Sequence, residues 1–178
     1  NYDNGKLYGV TPEQFKADIE AAGMEVLSSH VGHNLNNEEL KSGNFDEALK
    51  WWAQCIDTHK RAGMKYIVNP GVNFPNTLAE ADVICKYLNK VGEMVNAAGM
   101  KFGYHNHSYE FNKVEGQVWY DYMIKHTDAD KVFYEMDVYW AVRGQVSPVE
   151  YFKNIRARHV VKQQHRQQAF KTYVVGNL

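Results

Sequence analysis

Cysteine is scarce. Cys55 and Cys85 are the only two in 178 residues, too few and too far apart to staple a small scaffold. Both fall inside helical patterns with no adjacent base, so buried free thiols are expected and a cysteine nucleophile is not supported. Long hydrophobic runs are missing too: none approaches a membrane span, and no charged-then-apolar leader opens the chain. The chain begins Asn1-Tyr2-Asp3-Asn4-Gly5, which reads as a loop in a fragment or processed product. The missing leader therefore leaves the compartment open, with the cytoplasm favoured over export. Charge of one sign is also lacking. The net charge of −1 offers no basic footprint, so neither nucleic acid nor a membrane is an expected partner. No G-x-G-x-x-G follows any strand, which argues against a dinucleotide-type sheet.

What the chain does have is an internal repeat. Ala22-Gly23-Met24, Ala62-Gly63-Met64 and Ala98-Gly99-Met100 each close a helical pattern and open an apolar run. Glycine suits the left-handed position just past a helix end. The repeats lie 40 and 36 residues apart, the length of a helix, a strand and two loops. Strands are expected over 25–30, 65–69, 101–107 and 132–137, with a fifth around Arg158 to Val161. Helices are expected from Thr11-Pro12, over 44–60, 77–98 and 117–126, and from Ser147-Pro148, with a polar loop over 36–43. Strands alternating with helices give a parallel sheet with helical crossovers, and the expected class is α/β, a partial (β/α)8 TIM barrel of four or five parallel strands. The barrel domain is expected over residues 1–154. Residues 155–178 read as an atypical, polar tail, disordered or frameshifted: codons for Asn154-Ile155-Arg156-Ala157 can spell Tyr-Pro-Gly in a shifted frame.

Several strands end in coordinating chemistry. The densest stretch is Phe102-Gly103-Tyr104-His105-Asn106-His107-Ser108-Tyr109-Glu110-Phe111, where imidazoles and a carboxylate suit a divalent metal. Alternation along a strand would point His105 and His107 the same way if the strand persists that far. In parallel barrels the reacting groups sit at the carboxyl ends of the strands. That rule gathers His30, His33, Asn69, His105, His107, Glu110 and Asp137 into one rim. Singly, each such residue is more often a loop or cap hydrogen-bonder; together they form a signal.

Ser28-Ser29-His30-Val31-Gly32-His33, the run Gly103 to Phe111, and Met136-Asp137-Val138-Tyr139-Trp140 together resemble sugar phosphate isomerase/epimerase-like proteins of the xylose isomerase-like barrel superfamily, over residues 1–152. The resemblance implies a (β/α)8 barrel, a divalent metal ion (Mn, Mg, Co or Zn) and a small sugar, keto-sugar or cyclitol substrate. It implies metal ligands at Asp137 and Glu110, with His105 and His107 as rivals to Glu110. His159 looks like the histidine of the family's His-Val-Lys-Asp ending, displaced by one residue and lacking the aspartate. The family's first two strands, its last one or two, and the glutamate ligand on the last strand have no counterpart.

The expected function is metal-dependent isomerisation or epimerisation of a sugar or sugar phosphate through an enediolate. Glu110, His107 and His30 are the candidate catalytic groups, and His33, His105, Asn69 and Trp140 the candidate substrate contacts, with Tyr139 beside Trp140. The alternatives are a lyase that expels a β-hydroxyl from a keto-inositol or keto-sugar, and an inactive fragment of such an enzyme. A nuclease on the same barrel would want a richer metal cluster and a basic surface. An open barrel exposes sheet edges, so self-association, including a homo-oligomer, is also expected.

Overall fold

The computed structural model describes residues 2–154, 160–164 and 171–173. A short antiparallel ladder pairs Tyr2–Asp3 with Lys6–Leu7, after which helices and strands alternate. Helix α1 (Pro12–Ala21) precedes strand β1 (Ser28–His30). Helices α2 (Asn37–Ser42) and α3 (Asp46–Arg61) precede β2 (Tyr66–Asn69), and α4 (Leu78–Ala97) precedes β3 (Lys101–His105). A second small ladder, Lys113–Val114 against Gln117–Val118, leads into α5 (Trp119–His126) and β4 (Phe133–Asp137). Helices α6 (Val138–Arg143) and α7 (Pro148–Asn154) follow, then strands β5 (Val160–Gln164) and β6 (Lys171–Tyr173). One sheet holds the order β6-β5-β4-β3-β2-β1, with β1 to β5 parallel and β6 antiparallel. This is the expected α/β architecture of a partial barrel with five parallel strands. His159 lies outside the described residues.

Local sequence accounts for the elements. Thr11 caps α1 by accepting from the Gln14 amide at 3.2 Å, with Pro12 in the first turn. Thr77 does the same for α4 through Glu80. Gly99, past the end of α4, takes φ of 86°, which a residue with a Cβ adopts only at a steric cost. The segment read as a loop after Asn36 is instead helix α2. Asn36 accepts from the amides of Glu38 and Glu39, and Glu39 returns a carboxylate oxygen to the Asn36 amide, a capping box. The helix expected from residue 44 starts at Asp46 as α3, with Phe45 in the cap position and Asn44 Oδ1 accepting from the Asp46 amide at 2.9 Å. Strand β3 stops at His105, so His107 stands on the following turn, not on the strand.

Register divides the sheet into two faces. Partner pairs place Ile67, Phe102, Tyr104, Tyr134 and Met136 on one face, all buried. That face packs against helices whose apolar residues recur at helical spacing: Ala48, Trp52, Cys55 and Ile56 on α3, and Ala81, Ile84, Cys85, Leu88, Val91 and Val95 on α4. Trp52 donates to the Tyr87 hydroxyl at 2.6 Å, and Tyr87 donates to the His33 carbonyl at 2.8 Å, tying α3 and α4 to the loop after β1. The other face carries His30, Val68, Gly103, His105, Phe133, Glu135 and Asp137. The sheet therefore keeps its core on one side and its chemistry on the other.

Candidate metal and sugar site

At the carboxyl ends of β1, β3 and β4, His30, His105 and Glu135 offer ligand atoms that all lie within 4.8 Å of one another. Glu135 Oε2 lies 2.8 Å from His30 Nε2 and 3.1 Å from His105 Nδ1. The side chains of His105 and Glu135 are 4% and 7% exposed, whereas that of His30 is 40% exposed, so the group opens outward on the His30 side. Burial alone would raise the Glu135 carboxyl, but hydrogen bonds from His105 and His30 outweigh it and hold the group down at about 2. It therefore stays ionised. Sequence reading missed Glu135. The signal was present: Glu135 lies two residues before Asp137 on the same strand, and so on the same face.

Asp137 closes the other side of His105, with Oδ2 at 3.7 Å from Nε2. Its Oδ1 accepts from the amides of Tyr139 and Trp140, so it also caps α6. The strand ends at Asp137, as expected, because an aspartate accepting two successive amides starts a helix at Val138.

Glu110 stands outside the group of three. Fully buried, it accepts from the Tyr104 hydroxyl at 2.8 Å and the His107 amide at 2.9 Å. Tyr104 belongs to the helix-facing side of β3, which explains the separation. Burial pushes the Glu110 carboxyl up, against the pull of the His107 amide and the Tyr104 hydroxyl. His107 is half-buried among rings: His105 at 5.2 Å between centroids, Trp140 at 5.3 Å and Tyr109 stacked at 6.0 Å. The structure thus brings His30, His105, His107, Asp137 and Trp140 into one neighbourhood. His33 goes elsewhere, stacked on Trp51 of α3 at 4.8 Å. Asn69 shares the helix-facing register of Tyr104 and accepts from the Gly71 amide at 3.0 Å. Its Nδ2 is buried without a hydrogen-bond partner among the described residues.

Two imidazoles and an ionised carboxylate are a donor set that borderline divalent ions accept, and the second carboxylate beside His105 adds charge of the right sign. The residues present fit a metal ion.

A sequence profile of the xylose isomerase-like TIM barrel family matches residues 3–171. Two solved structures of sugar phosphate isomerase/epimerases from Parabacteroides distasonis are each 34% identical to the chain, with TM-scores of 0.75 and 0.79. They cover 84% and 88% of the chain, which in turn spans 55% and 63% of their lengths. A 3-keto-D-glucoside 4-epimerase from E. coli shares the fold at 15% identity, with a TM-score of 0.61 over 87% of the chain and 64% of its own. Among curated proteins, none is similar enough to match. On its profile match, and with helices and parallel strands alternating beneath a histidine-carboxylate rim, the chain belongs to the xylose isomerase-like TIM barrel family.

Proposed function

We propose that the chain is, or is part of, a divalent-metal-dependent isomerase or epimerase acting on a sugar or sugar phosphate through an enediolate. The observation that carries this reading is the gathering of His30, His105 and Glu135 within 4.8 Å at the carboxyl ends of three parallel strands. Those three residues, with Asp137, would hold the ion; when bound, it supplies Lewis-acid polarisation of a carbonyl and its neighbouring hydroxyl. Glu135, kept ionised by its two imidazoles, supplies the negative charge. His30, the most exposed of the group, marks the side from which a substrate would approach the ion. Trp140 and Tyr109 wall His107 with apolar rings that suit the C–H face of a sugar and exclude water. In this reading His107 takes and returns a proton beside a substrate carbon. Glu110 acts on it indirectly, by accepting its main-chain amide.

The test is Mn2+ titration by calorimetry together with incubation of the chain with a panel of keto-sugars in deuterated water. The wild-type chain is expected to bind one ion and to exchange the hydrogen next to the carbonyl. Glu135→Gln is expected to weaken binding at least about a hundredfold, because it removes the anionic ligand. Unchanged binding in that variant would reject the ligand assignment. An unsaturated product would move the chain to the lyase class.

A further inference from the structure

We infer that Asn106 is a positioning residue: its side-chain amide replaces a peptide unit at the end of the β3–β4 ladder and thereby fixes Asp137 and Glu135 against His105. The inference rests on the reading of this rim as a metal site. Backbone pairing between the two strands runs Gly103 with Phe133, Tyr104 with Tyr134 and His105 with Glu135, and then the chain leaves β3. Asp137 would next need partners for its amide and its carbonyl. Asn106 supplies both: Oδ1 accepts from the Asp137 amide at 2.9 Å, and Nδ2 donates to the Asp137 carbonyl at 3.3 Å and to the His107 carbonyl at 3.1 Å. The side chain is fully buried, so no solvent substitutes for it.

At this reach only a carboxamide carries the two donors and one acceptor that these three contacts use. An aspartate would keep the acceptor and set an anionic oxygen against two carbonyl oxygens, those of Asp137 and His107. The ends of β3 and β4 would then part. The carboxylates of Glu135 and Asp137 face His105 from 3.1 and 3.7 Å, so small movements of β4 disturb both contacts. Asn106 touches neither of these side chains in the hydrogen bonds described, and it acts through the backbone.

The test begins without metal. Amide exchange at Asp137 is expected to be slow in the wild-type chain and about tenfold faster in Asn106→Asp, with a shift of the low-field proton signal of the His105–Glu135 hydrogen bond. Asn96→Asp is the control: Asn96 Nδ2 donates to the Asp130 carbonyl at 2.7 Å on the far side of the fold from these contacts, and both readouts should stay put. Mn2+ affinity is then expected to fall about 10- to 100-fold in Asn106→Asp and to hold in Asn96→Asp. Should Asn106→Asp fail to fold, Asn106→Ser, which is short and neutral, is expected to show the same changes. Rapid exchange of the Asp137 amide in the wild-type chain would overturn the inference whatever the variants do. So would a folded Asn106→Asp with an unchanged His105 signal. A wild-type chain that takes up no Mn2+ would remove the metal reading and leave the exchange and proton-signal arms to decide the clasp.

Discussion

His59 sits on the apolar face of α3, with Nδ1 donating to the Cys55 carbonyl at 2.7 Å and Nε2 enclosed without a hydrogen-bond partner among the described residues. Burial lowers its basicity below the ordinary 6.5. The folded state thus keeps His59 neutral where the unfolded chain would already bind a proton. Stability from this group is present above 6.5 and is lost as the pH falls below it. Urea midpoints measured between pH 7 and 5 should fall in the wild-type chain, and the fall should be smaller in His59→Leu. Equal slopes would show that His59 does not carry the dependence. On the rim, the position of this residue type in the sequence misleads. His30, His33, His105 and His107 all stand near strand ends in the sequence, but His33 leaves for Trp51, a partner on a helix 18 residues downstream. Nothing local announces that. Glu135 was overlooked for a related reason: it lies inside an apolar strand, and only its shared face with Asp137 betrays it.

Among elements, the helix-to-strand packing turns on two glycines for opposite reasons. A Cβ on Gly92 of α4 would stand 2.3 Å from the carbonyl oxygen of Lys131, a backbone atom ahead of β4 that cannot rotate away. Gly99 has open space around it but a φ of 86°. Gly92→Ala should therefore force α4 outward and cost about 2–3 kcal/mol, near the upper end for overpacking. Gly99→Ala should cost about 1–2 kcal/mol, from backbone strain alone. Chemical denaturation of the two variants tests the order, and a smaller loss at Gly92 would contradict the packing argument. Elements of this kind were legible where capping or helix-ending chemistry marks them. Thr11, Thr77 and Gly99 each sit where the sequence put a boundary. Helix α2 escaped because its face is mostly polar, although Asn36 and Glu39 spell its cap. The end of β3 escaped because apolar alternation does not reveal that an asparagine side chain takes over from the backbone.

At the scale of the molecule, β1 is paired on one side by β2 and by no strand on the other among the described residues. Ser28 and His30 on it are exposed, and Leu27 and Met24 just before it are 39% and 57% exposed. Such an edge templates strand addition. Sedimentation of the 178-residue chain should show concentration-dependent association, reduced by Leu27→Lys; a stable monomer at all concentrations would show the edge is harmless. The parallel order was legible from the 40- and 36-residue spacing of the glycine repeats, because each unit is one helix and one strand. How the open edge is covered was not, since no described strand lies against it.

The hydrogen bond between His30 and Glu135 joins residues 105 positions apart. It closes across β2 and β3, so it cannot form until the strands between them have found their register. Loop-closure entropy makes such a contact late on any folding route. The group therefore does not nucleate the sheet. It marks the moment of completion, and a bound ion would report, on the time axis of refolding, that four strands have already assembled.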